Sequence, residues 1–114
     1  MNGWIYLHKK FLEWGWFTEP NMVSIFVYFL LKCNYEDNVF LGIDIKRGQF
    51  VTSISNIAID TGLSFQQVRT CLKKLKKTKE IEVKTTSKFT TITICNYDSY
   101  QTKQQTNNKP TTNE

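Results

Sequence analysis

The stretch ISNIAIDTGLSFQQVRTCLKKLKK, residues 54–77, decides the fold because it contains two short helical patterns on either side of a turn. In the first pattern, Ile54, Ile57 and Ala58 follow the spacing i, i+3, i+4, which places their side chains on one face of a helix. Ser53 directly precedes them and has a side chain that is preferred at a helix N-cap. The first pattern therefore predicts a helix that begins after Ser53.

The residues between the two patterns have the chemistry of a tight turn. Gly62 follows the first helix, and glycine adopts at little cost the left-handed conformation that ends many helices. Leu63 is placed to fold back onto the apolar core. Ser64 then precedes the second helix, and Gln67 three residues later completes a capping box. Two helices joined by a three-residue turn of this kind make a helix-turn-helix.

A rotation of about 100° per residue divides the second helix into two faces. The residues predicted to face the core are Phe65, Val68, Cys71, Leu72 and Leu75. The residues predicted to face outward are Gln66, Thr70, Lys73 and Lys77, with Arg69 and Lys74 beside them. The helix is thus amphipathic, and its outward face becomes more basic toward the C-terminus.

The elements around this stretch complete a winged-helix arrangement. Before it, we expect a short helix, a central apolar helix and two short strands, at Trp4–Trp16, Pro20–Asn34, Leu41–Ile45 and Gln49–Thr52. After it, apolar residues alternate on both sides of a polar tip and predict a β-hairpin of Ile81–Thr86 and Phe89–Cys95. The predicted fold is α+β and mainly helical, a winged helix-turn-helix with an extra N-terminal helix.

The chain of 114 residues is long enough to close one core but not two. We assign residues 1–100 to one domain, in which Tyr97 and Tyr100 are placed to pin the chain to the body after the hairpin. Residues 101–114, QTKQQTNNKPTTNE, contain no apolar side chain, which predicts a disordered polar tail or linker. The predicted apolar stripe of the central helix consists of Val23, Phe26, Val27, Leu30 and Leu31.

The positive charge is concentrated in one segment. The formal net charge is +5, and the segment from Gln66 to Lys88 contributes 8 − 2 = +6, so the other 91 residues sum to −1. Such a concentration is typical of a nucleic-acid surface. A lysine-rich helix face is also typical of an ordinary solvated surface, and lysines near a helix C-terminus interact favourably with its dipole. The helix alone leaves both interpretations open, and the turn before it and the basic hairpin after it favour DNA binding.

The candidate DNA-contacting residues divide into two groups by chemistry. The residues predicted to read bases carry hydrogen-bonding side chains with modest charge, and they are Gln66, Gln67, Arg69 and Thr70. Among them, glutamine can pair bidentately with an adenine edge. The lysines are predicted to contact phosphates as point charges. The whole set is Ser64, Gln66, Gln67, Arg69, Thr70, Lys73, Lys74, Lys77, Lys84 and Lys88. We expect the partner to be double-stranded DNA.

Other functional classes find no support in the sequence. Cys33, Cys71 and Cys95 are far apart and His8 is the only histidine, so we expect no metal site. The sequence contains no phosphate-binding glycine loop and no carboxylate pair spaced for acid–base chemistry, so we expect neither an enzyme nor a cofactor. The longest apolar run, residues 22–33, is too short to cross a bilayer. We expect a cytoplasmic protein with no membrane partner.

Four large aromatic residues near the N-terminus leave two interpretations open. A small monomer is not expected to leave four large aromatic side chains exposed to solvent. The four residues are Trp4, Trp14, Trp16 and Phe17. They either cap the core or form an interface with a partner, for which a homodimer is the candidate.

Several stretches together resemble the N-terminal domains of phage and prophage replisome organisers, relatives of the DnaD primosomal proteins. They are GWIYLHKKFLEWGWF, GIDIKRGQFVTS, IAIDTGLSFQQVRTCLKKLKKTKEIEVK and TITICNYDSYQ, which lie within residues 3–101. The stretch IAIDTG departs from the family pattern, in which an alanine followed by two acidic residues is more common.

The resemblance implies a winged helix that binds DNA or self-associates and helps to load a helicase at an origin. It implies a helicase or helicase loader as partner and a C-terminal domain after the polar linker. The sequence leaves two alternatives open, a winged-helix transcriptional regulator and a protein-interaction module that does not itself bind DNA.

Overall fold

The structure, a computed structural model, describes residues 5–34, 37–40, 42–95 and 97. In chain order, its elements are a 3-10 helix Lys9–Glu13, α1 Pro20–Lys32, β1 Asn38–Phe40, β2 Ile43–Ile45, β3 Gln49–Thr52, α2 Ile54–Thr61, α3 Phe65–Lys77, β4 Ile81–Thr85 and β5 Thr90–Ile94. Within these residues the strands form two antiparallel sheets, one of β1 and β2 and one in the order β3-β5-β4. The predicted α+β class is confirmed.

The two helices and the turn of residues 53–77 form where the sequence predicts them. The Ser53 hydroxyl accepts the N–H of Asn56 at 3.1 Å and caps α2. Gly62 ends α2 in the left-handed conformation, with φ of 78°. The Ser64 hydroxyl and the Gln67 side chain form the predicted capping box at the start of α3. These local bonds satisfy backbone groups at the helix ends, so the turn is specified by its own residues.

The hairpin predicted after α3 is confirmed, and it forms the larger sheet together with β3. In the β4–β5 register, Ile81 lies opposite Ile94 and Val83 opposite Ile92, and these apolar side chains pack on the core. β3 pairs with β5 and not with β2, its neighbour in sequence. The central strand β5 therefore ties the hairpin to the segment that leads into α2.

The observed strand β2, Ile43–Ile45, is shorter than the strand predicted over residues 41–45. It also pairs with a strand, β1, that the sequence pattern did not predict. β2 begins at Ile43 and pairs with β1, whose Asn38 lies opposite Ile45. A three-residue strand contains too few alternations to produce a recognisable pattern, and β1 was therefore missed. Leu41 lies outside the described residues.

α1 is the central helix of the core, as predicted. Its buried side chains are Met22, Ile25, Phe26, Phe29 and Leu30. The predicted stripe was wrong in part, because Leu31 is 59% exposed whereas Met22 is buried. Most positions of α1 are apolar, so the periodicity does not show which face turns inward. Packing of α1 against α2, α3 and β5 selects that face.

The N-terminal segment differs from the helix predicted over Trp4–Trp16. Of the described residues 5–16, only Lys9–Glu13 is helical, in 3-10 geometry, and the extended backbone of Trp14 ends this helix. Phe11 and Trp14 both lie against Phe26, whose ring centre is 6.3 Å from that of Phe11 and 4.8 Å from that of Trp14. Residues three apart lie on the same face of a 3-10 helix, which explains why this geometry suits two aromatic anchors at that spacing. Trp4 lies outside the described residues.

Tyr97 anchors the chain after β5, as predicted. Its side chain is buried in the core cluster and lies directly against Gly48, whose φ is +84°. A Cβ added to Gly48 would lie 2.8 Å from the Tyr97 Cβ, so both the backbone conformation and the available space require glycine. Tyr100 and the predicted tail, residues 101–114, lie outside the described residues.

Candidate nucleic-acid interface

α3 has one buried and one exposed face, as its amphipathic pattern predicts. Its buried side chains are Val68, Cys71, Leu72 and Leu75, and the helix packs against α1, α2 and β4. The exposed residues include Gln66, Gln67, Arg69, Thr70, Lys73 and Lys77, all of which are candidate DNA contacts. The exposed face therefore carries hydrogen-bonding groups near its N-terminus and ammonium groups near its C-terminus.

Phe65 is the exception to the predicted pattern, because its side chain is 47% exposed. It is the first residue of α3 and lies at the edge of the apolar arc, about 60° from Val68 around the helix. The guanidinium carbon of Arg69 lies 5.8 Å from the centre of the Phe65 ring, within the range of a cation–π contact. The i, i+4 spacing of these two residues is the sequence signal that sequence reasoning overlooked.

The capping box occupies part of the hydrogen-bonding capacity of Ser64 and Gln67. The Ser64 N–H donates to Gln67 Oε1 at 2.9 Å, and the Gln67 N–H donates to Ser64 Oγ at 3.1 Å. Bidentate pairing with adenine requires both the oxygen and the nitrogen of a glutamine amide. The Gln67 amide and the Ser64 hydroxyl can still donate to a phosphate, but Gln66 is better placed than Gln67 to read a base.

Lys74 differs from the other candidate lysines because its ammonium group has partners within the chain. Its Nζ lies 2.8 Å from Glu19 Oε1, and both side chains are about 40% exposed. The same Nζ lies 5.5 Å from the ring centre of Trp16, in a cation–π contact. Glu19 offsets the charge that Lys74 would present to a phosphate, so Lys74 is the weakest phosphate candidate on α3.

The C-terminal end of α3 leads directly into the hairpin through a tight cap. The Lys79 N–H donates to the Lys76 carbonyl at 3.0 Å, and the Glu80 N–H donates to the Leu75 carbonyl at 2.9 Å. This is the hydrogen-bond pattern of a Schellman motif, with Lys79 in the left-handed position at φ of 62°. The cap reverses the chain, and β4 then packs against α3.

The hairpin carries two of the candidate basic residues at and near its tip. Lys84 of β4 and Lys88 of the turn are both exposed. The turn is closed by the Thr86 N–H, which donates to the Phe89 carbonyl at 2.9 Å, and by the Thr86 hydroxyl, which accepts the Lys88 N–H at 3.2 Å. These bonds hold the backbone of Lys88 in place while its side chain remains in solvent.

The described members of the aromatic cluster, Trp14, Trp16 and Phe17, have partners within the chain. The Trp14 indole stacks on Phe11 at 5.0 Å between ring centres, and its N–H donates to the Glu80 carboxylate. The Trp16 N–H donates to the Thr78 hydroxyl at 3.3 Å. Phe17, the third described member of the predicted cluster, meets the Phe11 ring edge to face. These contacts favour the interpretation that the aromatic cluster covers the core and fastens the N-terminal segment to the end of α3.

The three cysteines are free thiols, and burial raises the pKa of each. Cys33 and Cys71 are buried, and Cys95 is half-buried. Across residues 5–34, 37–40, 42–95 and 97, no three histidine, cysteine, aspartate or glutamate residues are grouped so that they could hold a metal ion. No helix in the same part of the chain has both the length and the apolar character needed to cross a membrane.

Comparison of the chain with protein-family models, with curated proteins and with solved structures finds no match.

Proposed function

We propose that this chain is a DNA-binding winged-helix domain in which α3 is the recognition helix and the β4–β5 hairpin is the wing. The observation that carries the proposal is the exposed basic face of α3, which follows a three-residue capped turn and precedes a hairpin with two exposed lysines. Local bonds hold both ends of α3, so this face is presented on a rigid element.

The dimensions of α3 suit the major groove of B-DNA. Its 13 residues span about 20 Å at about 1.5 Å per residue, and the major groove, about 12 Å wide, admits an α-helix. Recognition helices of this class contact base edges with their N-terminal residues. Gln66, Arg69 and Thr70 lie toward that end and can read bases.

Phosphate contacts are assigned to four lysines whose side chains extend into solvent. Lys73 and Lys77 continue the exposed face of α3, and Lys84 and Lys88 project from the hairpin. Each ammonium group can neutralise one phosphate as a point charge. Lys74 is left out of this set because Glu19 already neutralises it.

A role in DNA replication initiation is the second part of the proposal, and it rests on the resemblance to replisome organisers and DnaD-like proteins. In that role the domain would bind origin DNA in the cytoplasm and a separate surface would recruit a helicase or helicase loader. A transcriptional regulator would use the same DNA-binding face. Co-purification with a replicative helicase from the same cells distinguishes the two roles, because a regulator has no reason to bind one.

The salt dependence of binding tests the DNA-binding proposal quantitatively. Four phosphate contacts at about 0.9 counterions each predict a slope of about −3.6 for log K against log salt concentration. Affinity should therefore fall roughly 150-fold between about 50 and 200 mM salt. The measurement is fluorescence anisotropy of a labelled duplex of about 20 base pairs, titrated with the chain at several salt concentrations.

Two lysine variants of the same helix provide a matched comparison. Lys77→Gln should reduce the slope by about 0.9 and weaken binding about eightfold at about 100 mM salt. Lys74→Gln removes the same formal charge, but it should leave the slope nearly unchanged because Lys74 is paired with Glu19. Absence of binding at low salt, or binding that does not respond to salt, would refute the proposal. Equal effects of the two variants would refute the assignment of phosphate contacts.

A further inference from the structure

The first position of α3 carries an exposed aromatic side chain, Phe65. Phe65 is 47% exposed, although it belongs to the apolar arc of an otherwise well-buried helix face. Two of the three residues assigned to base contacts, Gln66 and Arg69, are its neighbours on the helix. An exposed phenyl ring at this end of the helix therefore lies among groups that would meet the floor of the groove.

The Arg69 side chain is arranged over the same ring. Its guanidinium carbon lies 5.8 Å from the ring centre, within cation–π range. A guanidinium that lies over an aromatic face keeps its N–H groups available at its edge for bidentate hydrogen bonds. The ring thus reduces the freedom of Arg69 while leaving its donors available for a guanine edge.

We propose that Phe65 and Arg69 form a two-residue reading unit for a thymine and a neighbouring guanine, in which Phe65 contacts the thymine methyl group and Arg69 pairs with the guanine. This inference rests on the proposed DNA-binding function and names the base chemistry that the site selects. The thymine methyl is the apolar group that the major groove presents, and phenylalanine is among the side chains that contact it. Guanine presents the two acceptors, O6 and N7, that match the arginine fork.

The spacing of the two side chains sets the spacing of the two bases. Residues at i and i+4 of a helix lie about 5–6 Å apart, and successive bases of a strand are about 3.4 Å apart. The two bases are therefore adjacent or separated by one base pair. Phe65 and Arg69 are both exposed, so neither must leave the core to reach DNA.

The capping box makes this unit rigid at its base. The Ser64 and Gln67 bonds of 2.9 and 3.1 Å fix the backbone on both sides of Phe65. A fixed backbone limits the positions that the Phe65 ring can adopt, and this favours discrimination between bases over non-specific DNA binding. Replacing Phe65 does not remove any of these capping bonds, because they involve the neighbouring residues.

The test begins with selection of binding sites from a randomised duplex library by the full chain, followed by base analogues in the selected duplex. Replacing the critical thymine by uracil removes only the 5-methyl group, and we expect binding to weaken about fourfold, the value of one buried methyl-sized group. Replacing the neighbouring guanine by 7-deazaguanine removes the N7 acceptor and should weaken binding about tenfold, within the range for a lost bidentate partner.

Variants of Phe65 and Arg69 assign these effects to the two side chains. Phe65→Ala should bind the thymine duplex about fourfold more weakly and should no longer distinguish thymine from uracil. Phe65→Leu, which retains an apolar contact, should keep the distinction. Arg69→Met, which has no hydrogen-bond donor in its side chain, should lose the response to 7-deazaguanine while keeping the response to uracil. Circular dichroism of each variant verifies that the fold is retained.

The outcomes separate this inference from the proposed function. If the chain binds duplex DNA with the expected salt slope but responds to no thymine-to-uracil replacement, the reading unit is refuted and DNA binding stands. If Phe65→Ala still distinguishes thymine from uracil, another residue contacts the methyl group and the inference is likewise refuted. If the chain binds no duplex from the library at low salt, both the inference and the proposed function are refuted.

Discussion

Replacing Trp14 should destabilise the fold, because this residue joins the N-terminal segment to the end of α3. Its indole packs on Phe11 and Phe26, with ring centres 5.0 and 4.8 Å away, and its N–H donates to the Glu80 carboxylate. Glu80 in turn accepts from the Thr78 hydroxyl at 2.5 Å. The hydrogen bond to Glu80 spans 66 positions in sequence and holds the N-terminal segment against the cap that ends α3.

The loss of unfolding free energy expected for Trp14→Ala has two contributions. A fully buried tryptophan costs about 3–5 kcal/mol on truncation to alanine, and for a half-buried indole we take about 2 kcal/mol. Loss of the hydrogen bond to a partly exposed carboxylate adds about 1 kcal/mol. Trp14→Ala should thus lower the free energy of unfolding by about 3 kcal/mol, which corresponds to a decrease in Tm of roughly 15 °C for a domain of this size. Trp14→Phe keeps the stacking and should lose only about 1 kcal/mol.

Thermal and urea unfolding followed by circular dichroism measure these values, and a double-mutant cycle isolates the hydrogen bond. Trp14→Phe and Glu80→Ala together should show a coupling energy of about 1 kcal/mol, because each change removes the same bond. Leu12→Ala is the matched control in the same segment. Leu12 is 67% exposed, so this change should alter stability by less than about 0.5 kcal/mol. A coupling energy of zero, or equal effects at Trp14 and Leu12, would show that Trp14 does not join the N-terminal segment to the end of α3.

Three further predictions concern the backbone and the state of association. Gly48→Ala should destabilise the fold by about 3 kcal/mol, since it combines left-handed strain with a clash against Tyr97. Gly42→Ala has similar strain, but no described residue lies within 4 Å of the added Cβ, so it should cost about 1 kcal/mol in the same unfolding assay. Lys79→Gly should raise the free energy of unfolding by about 0.5 kcal/mol. The change removes the strain of a lysine in the left-handed conformation, and this gain exceeds the cost of the greater conformational entropy of glycine in the unfolded chain; an unchanged or lower Tm would contradict this. Light scattering at increasing protein concentration should detect a monomer, because Trp14, Trp16 and Phe17 already contact other residues of the same chain; a concentration-dependent dimer would contradict this and support the homodimer interpretation.

Several parts of the fold were predictable because short-range chemistry specifies them. The capped turn between α2 and α3 depends on Ser53, Gly62, Ser64 and Gln67, each of which acts within four residues of its partner. The β4–β5 hairpin follows from alternation on both sides of a polar tip. The amphipathic pattern of α3 likewise required only the helical period, and its four buried residues were all predicted.

Other parts depended on contacts that are remote in sequence. The buried face of α1 is selected by packing against α2, α3 and β5, because its apolar residues surround the helix and leave the face undetermined. The N-terminal segment forms a 3-10 helix because Phe11 and Trp14 both reach Phe26. The helix propensity of the segment depends only on its own residues and therefore does not predict a contact with Phe26.

At the candidate site, three features could be predicted from the sequence alone: the segregation of charge, the turn before α3 and the division of its exposed face into a polar half and a lysine half. These follow from residue type and the helical period. Two features of the site depended on tertiary structure: Glu19, 55 positions away, neutralises Lys74, and Phe65 remains 47% exposed although it belongs to the apolar arc of α3. The pairing of an ammonium group and the exposure of a phenyl ring depend on which other groups lie near them. Folding brings those groups together from distant positions in the sequence, so a local pattern does not reveal them.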